Sequence, residues 1–154
     1  MDEPTPPAPP SGTFQGPLHL FPLRVYYEDT DVSGMVYHAN FLRWFERARS
    51  DVLRLLGIEQ SEAYAQGLGN YTVAELTIRY LAPARLDDAV TIATSALELG
   101  AASVRLRQRA LKGDRLLADA TVRVGFIAPD GRPRRQPAAW RAAFETLQSA
   151  KDAA

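Results

Sequence analysis

The stretch YYEDTDVSGMVYHANFLRWFERAR, Tyr26 to Arg49, decides the fold. Glu28, Asp29 and Asp31 crowd together, Gly34 follows, and His38, one of the chain's two histidines, precedes an amphipathic run. Asn40 stands where a helix N-cap is wanted and Gly57 is a stop signal, so a helix is predicted between them. Phe41, Trp44, Phe45, Ala48, Val52, Leu55 and Leu56 recur at helical spacing. Leu42 and Leu53 widen that stripe to about half the circumference. Arg43, Arg47, Ser50 and Arg54 fill the other half. A helix resting on one surface needs a narrower apolar arc than this. The rest of the chain must therefore curve around it.

Before the acidic stretch, PLRVYYE reads as a first strand, rich in β-branched and aromatic residues. After the helix, a short polar helix is expected near Glu59 to Gln66. Four segments with period-two alternation follow, roughly Tyr71–Leu81, Ala89–Leu99, Ala101–Leu111 and Arg115–Ala128. In the last, Ala120, Val122, Val124 and Phe126 share one face, and Thr121 and Arg123 point away. Connections as short as LGAA and KGDR suit only antiparallel hairpins. PDGRPRRQP ends the sheet, and Ala138 to Leu147 reads as a closing helix. The expectation is an α+β domain over residues 21–150, a five-stranded antiparallel sheet wrapped about one long helix. Its outer face, with Leu97 and Ile127, is expected to meet another subunit.

The 154 residues are enough for one domain with its own core. Lys plus Arg and Asp plus Glu both number 18, which gives no argument for a nucleic-acid partner. Without cysteine there is no disulfide framework, thiolate nucleophile or cysteine-based zinc site. No apolar run approaches membrane-spanning length. The start, MDEPTPPAPPSGTF, has acids and prolines where a signal peptide needs basic residues and an apolar helix. A cytoplasmic protein with a disordered proline-rich leader over residues 1–20 is expected, and His19 falls in that leader.

The acidic stretch supports four readings. Asp and Ser beside Gly34 are turn formers, and carboxylates before a helix complement its dipole. DTDVSG matches the opening of an EF-hand loop, but the bidentate acid of position twelve falls on Asn40, and a strand leads in. A transition-metal site from Asp29, Asp31 and His38 lacks the second histidine that catalytic zinc usually has. The fourth reading is acid–base or nucleophilic chemistry by Asp31 beside the unpaired amides around Tyr37 and His38 at the helix start. His38 would orient the carboxylate or move a proton.

Tyr27, Asp29, Asp31, Gly34, Val36, Tyr37, His38, Glu46, Ala48 and Arg49 together resemble the opening motif of the hot-dog-fold acyl-CoA thioesterases. The likeness is to the 4-hydroxybenzoyl-CoA thioesterase family, in particular its Tol–Pal-associated branch, and spans Pro22 to about Pro137. The resemblance implies a hot-dog fold, subunits paired through a continuous sheet in homodimers or homotetramers, and hydrolysis of acyl-CoA or acyl-carrier-protein thioesters without cofactor or metal. It implies Asp31 as the catalytic carboxylate, His38 as its partner histidine, Tyr27 as a supporting tyrosine and the His38 amide as holder of the thioester carbonyl. Rival readings are a hot-dog enoyl-thioester hydratase or dehydratase and a non-catalytic acyl-carrier binding subunit. Asp29 is expected to be structural. Arg49, inside the apolar arc, is expected to pair with a carboxylate of the acidic stretch. Arg79, Arg85, Arg132, Arg134 and Arg135 are candidates for the CoA phosphates.

Overall fold

The structure, a computed structural model, describes residues 1–148. The expected domain end at residue 150 lies outside the described residues. Strands β1 (Thr13–Gln15) and β2 (Leu18–Arg24) are followed by a 3-10 turn, Tyr27–Asp29, and the long helix α1, His38–Leu55. A short α2 (Gln60–Ala65) precedes β3 (Asn70–Tyr80), β4 (Ala89–Leu99), β5 (Ser103–Lys112) and β6 (Arg115–Ile127), and α3 (Ala138–Glu145) follows. The strands form one antiparallel sheet in the order β1-β2-β4-β5-β6-β3.

The sheet has six strands where five were expected, because the predicted leader is partly folded. Gly16, at φ 58°, turns the chain tightly and lets Thr13–Gln15 pair with Leu18–Leu20. The predicted first strand is also shifted. Val25 leaves the ladder and donates its N–H to the Asp88 carbonyl, and Tyr27 to Asp29 coil into the 3-10 turn. His19 is not leader at all. It is completely buried, with Nε2 2.7 Å from Asp51 Oδ2 on α1. Ser11 Oγ and the Gly12 amide also donate to Asp51, at 2.5 and 2.9 Å. These residues form a strap that ties the N-terminal hairpin to the helix. A Cβ on Gly12 would stand 2.3 Å from the Leu20 carbonyl, so the strap passes where only glycine fits.

Phe41, Trp44, Phe45, Ala48, Val52 and Leu53 of α1 join one core with Val90, Ile92, Ala96, Val104, Leu106, Ala110, Val122 and Val124 of the sheet. The arc is close to the predicted one, but Leu55 is 41% exposed and Asp51 takes a buried place near it. In β6 the alternation holds, with Ala120, Val122, Val124 and Phe126 buried.

Arg49 departs from expectation. Nη2 meets Glu46 Oε2 at 2.7 Å and Nη1 donates to Gln108 Oε1 at 2.9 Å, so its partners are on its own helix and β5. Arg49 is eleven residues past His38, about 16 Å along the helix, so the acidic stretch is beyond its reach. Burial lowers its pKa, and Glu46 opposes that shift.

Candidate active site at the start of the long helix

The chain before α1 is pinned on both sides. Thr30 bridges to Val36, the Asp31 amide donates to the Met35 carbonyl at 2.8 Å, and the Val36 amide donates to Ala84 of the β3–β4 connection at 2.8 Å. Gly34, at φ 80°, closes this loop, a conformation that side chains resist. Asp29 is buried, and its carboxylate accepts from the Tyr26 amide and from Asn40 Nδ2, both at 2.8 Å. Asn40 is therefore a third-position helix residue locked to the acidic stretch and not the N-cap. Tyr37 holds the cap position.

Asp31 is exposed. Ser33 donates to its Oδ1 through both the hydroxyl and the amide, the latter at 2.8 Å. These two bonds hold the Asp31 carboxyl below the usual carboxylate range. No described residue bonds Oδ2. Asp31 lines an open groove of about 480 Å³ with Tyr27, Thr30, Val32, Gly34 and Leu86. Two of the three predicted site residues, Asp31 and Tyr27, thus share one concavity.

His38 does not line that groove, and no hydrogen bond joins it to Asp31. It is exposed at the first position of α1, its ring 4.5 Å from that of Tyr37 and 6.1 Å from that of Tyr80, centroid to centroid. The expected donors also need one correction. The Tyr37 amide is occupied, donating to the Asp29 carbonyl at 2.9 Å, and the Asn40 amide donates to Tyr37 at 2.8 Å. Among the described residues the amides without a partner here are those of His38 and Ala39. They carry the positive end of the helix dipole and can donate to an oxygen that gains negative charge.

Among the described residues no three His, Cys, Asp or Glu side chains gather closely enough to hold a metal ion. Of the candidate phosphate ligands, Arg134 is committed to the Gly67 and Leu68 carbonyls at 3.2 and 2.8 Å. Arg79 lines a separate surface groove with Arg107 and Asp119. Arg85 is bridged through its backbone to Met35 and followed by Leu86, which lines the Asp31 groove. A more enclosed cavity of about 380 Å³ lies farther along α1, against β3 and α3, lined by Glu46, Arg49, Leu53, Tyr71, Val73 and Phe144 among others. It shares no residue with the Asp31 groove.

A sheet wrapped about one long helix, with a carboxylate in the loop before that helix, defines a hot-dog protein. The chain matches the thioesterase superfamily over residues 33–118 and belongs to it. It is 38% identical over 129 residues to the acyl-CoA thioesterase YbgC of Haemophilus influenzae, covering 83% of this chain and 95% of that one. The Escherichia coli O6:H1 acyl-CoA thioester hydrolase YbgC is 38% identical over 130 residues, covering 83% and 96%. Among solved structures, a probable thioesterase from Bartonella henselae superposes with a TM-score of 0.74 at 38% identity, covering 78% of this chain and 99% of that one.

Proposed function

We propose that this thioesterase hydrolyses acyl-CoA at the start of α1, with Asp31 as the reacting carboxylate. What supports the reading is an exposed carboxylate in the loop that leads directly into the free amides of the helix start. Asp31 is tied by its own amide to Met35, three residues before His38, where the unpaired donors begin. The thioester carbonyl accepts from those donors, which stabilise the oxyanion of the tetrahedral intermediate. Asp31 Oδ2 either attacks the carbonyl carbon, giving an anhydride that water then opens, or takes a proton from an attacking water. In both routes the C–S bond breaks, thiolate leaves and is protonated, and a free acid remains. Thiolate leaves readily, so no strong acid is needed. Tyr27 shapes the groove wall beside Asp31, His38 orients the bound thioester, and Arg85 meets a CoA phosphate.

The reading extends to acyl groups on a carrier protein, whose thioester linkage is the same, and the absence of cysteine is compatible with a reducing cytoplasm. It also includes pairing of two chains along β3. That strand has a sheet neighbour on one side only, and Val73, Tyr80 and Leu81 are 46%, 44% and 48% exposed. Two such pairs would meet as a tetramer through the outer sheet face around Leu97.

A thiol-trapping assay over a panel of acyl-CoAs tests the function. Steady thiol release is expected, and Asp31→Asn should lower it by at least about a hundredfold with the circular dichroism spectrum unchanged. Thiol release at the original rate from that variant would defeat the assignment. Single turnover in ¹⁸O water separates an anhydride opened at the Asp31 carboxyl carbon, which leaves the label in Asp31 and an unlabelled acid, from the general-base route, which puts the label in the acid and none in Asp31.

A further inference from the structure

Tyr80, the last residue of β3, reaches the start of α1 from 42 positions away in sequence. Its hydroxyl donates to the His38 carbonyl oxygen at 2.9 Å. Its ring meets the His38 imidazole edge-on, with centroids 6.1 Å apart and planes at 88°, and meets Phe41 at 5.7 Å and 74°. Burial raises the phenol pKa, so Tyr80 keeps its proton and remains a donor throughout the neutral range. Packing alone does not call for a tyrosine here, since phenylalanine would make the same ring contacts. The hydroxyl is what singles out the peptide at the helix start.

That peptide is a particular one. The His38 carbonyl and the Ala39 N–H belong to a single resonance-coupled unit, and the Ala39 N–H is one of the free donors described above. A proton offered to the oxygen draws electron density from the nitrogen and strengthens its N–H as a donor, the cooperative effect of linked hydrogen bonds. The carbonyl has a second lone pair, so it accepts from Tyr80 while keeping its place in the helix. The edge-on ring contact restrains the imidazole at the same time.

We propose that Tyr80 is a positioning residue for thioester hydrolysis, fixing the first peptide of α1 and strengthening the Ala39 amide as a donor to the developing oxyanion. It acts through that peptide and need not touch the substrate. The inference rests on the reading of the helix start as the carbonyl-binding site.

The test compares Tyr80→Phe with the unaltered full-length chain, using whichever of butanoyl-CoA and benzoyl-CoA is turned over. Removal of one hydroxyl should lower kcat roughly three- to tenfold, the scale of one hydrogen bond. KM should stay within about twofold and the melting temperature should hold, since the ring contacts remain. A second readout is the infrared band of the ¹³C-labelled thioester carbonyl, bound in an Asp31→Asn background where it is not consumed. Tyr80→Phe should move that band to higher wavenumber. Difluorotyrosine at position 80, a stronger donor of nearly the same shape, should move it lower. An unshifted band in both variants, or a Tyr80→Phe kcat equal to the original, overturns the proposal even if Asp31→Asn is inactive. Activity surviving in Asp31→Asn alone would instead remove the reading beneath it.

Discussion

Ser33 grips one oxygen of Asp31 from its backbone and its hydroxyl, and with Asp31 as the proposed reacting group this grip should set the acid limit of the reaction. A carboxylate in that proposed role must be ionised, and the Asp31 pKa is lowered, first by the Ser33 hydroxyl and then by the Ser33 amide. The value of kcat/KM should therefore hold down to below about pH 4, the ordinary carboxylate pKa, and fall only as pH drops through the Asp31 pKa. Ser33→Ala frees the carboxyl upward, so its acid limb should move to higher pH. Initial rates across the acid range check both. Asp29 behaves differently. Asp29→Ala leaves the Tyr26 amide and the buried Asn40 side chain without their acceptor, and should cost about 1–3 kcal/mol in urea unfolding. The sequence made Asp29 and Asp31 visible through their spacing before a helix, and Tyr27 only through the family resemblance. It hid which amides are free, because the Tyr37 donor goes to the Asp29 carbonyl, a contact no spacing reveals. Gln108 was also missed. It is completely buried and joins Arg49, the Phe45 carbonyl and Thr94 across the core. The available signal was a polar residue at an inward position of the alternating run Val104, Leu106, Gln108, Ala110.

At the scale of elements, periodicity located α1 and the four long strands well, since each buries one face against the other. The N-terminal hairpin escaped because Thr13–Gln15 is exposed and carries no alternation. What holds it is polar. Although burial opposes the shift, bonds from Ser11, Gly12 and His19 keep the Asp51 carboxyl below its ordinary range. A carboxylate lowered on folding contributes stability above its unfolded pKa, near 3.9, and that contribution disappears as pH falls through the folded pKa. Urea midpoints should therefore drop as pH falls below about 4, the ordinary carboxylate pKa, and Asp51→Asn should flatten that drop. Gly69 makes a separate point. Its φ is 135° and a Cβ would lie 2.3 Å from the Ile127 carbonyl, so Gly69→Ala should cost more than about 1 kcal/mol by the same assay.

Over the whole molecule, the two borders of the sheet are unequal. At the β3 border an eleven-residue strand presents the outward backbone groups of its alternate residues to a neighbour; sedimentation should give a multiple of 17.0 kDa, and Val73→Lys should lower both that mass and the activity. At the other border stands β1, three residues long, so that Phe21 to Arg24 of β2 pair with β4 but have no strand on their outer side, and the strap folds back toward the helix. So brief a strand is a poor template for a further chain. A two-fold union at β3 would use up the one long template and leave a blunted end on each side. Growth into a fibre would then have nowhere to continue, which makes the hairpin a stopper against polymerisation.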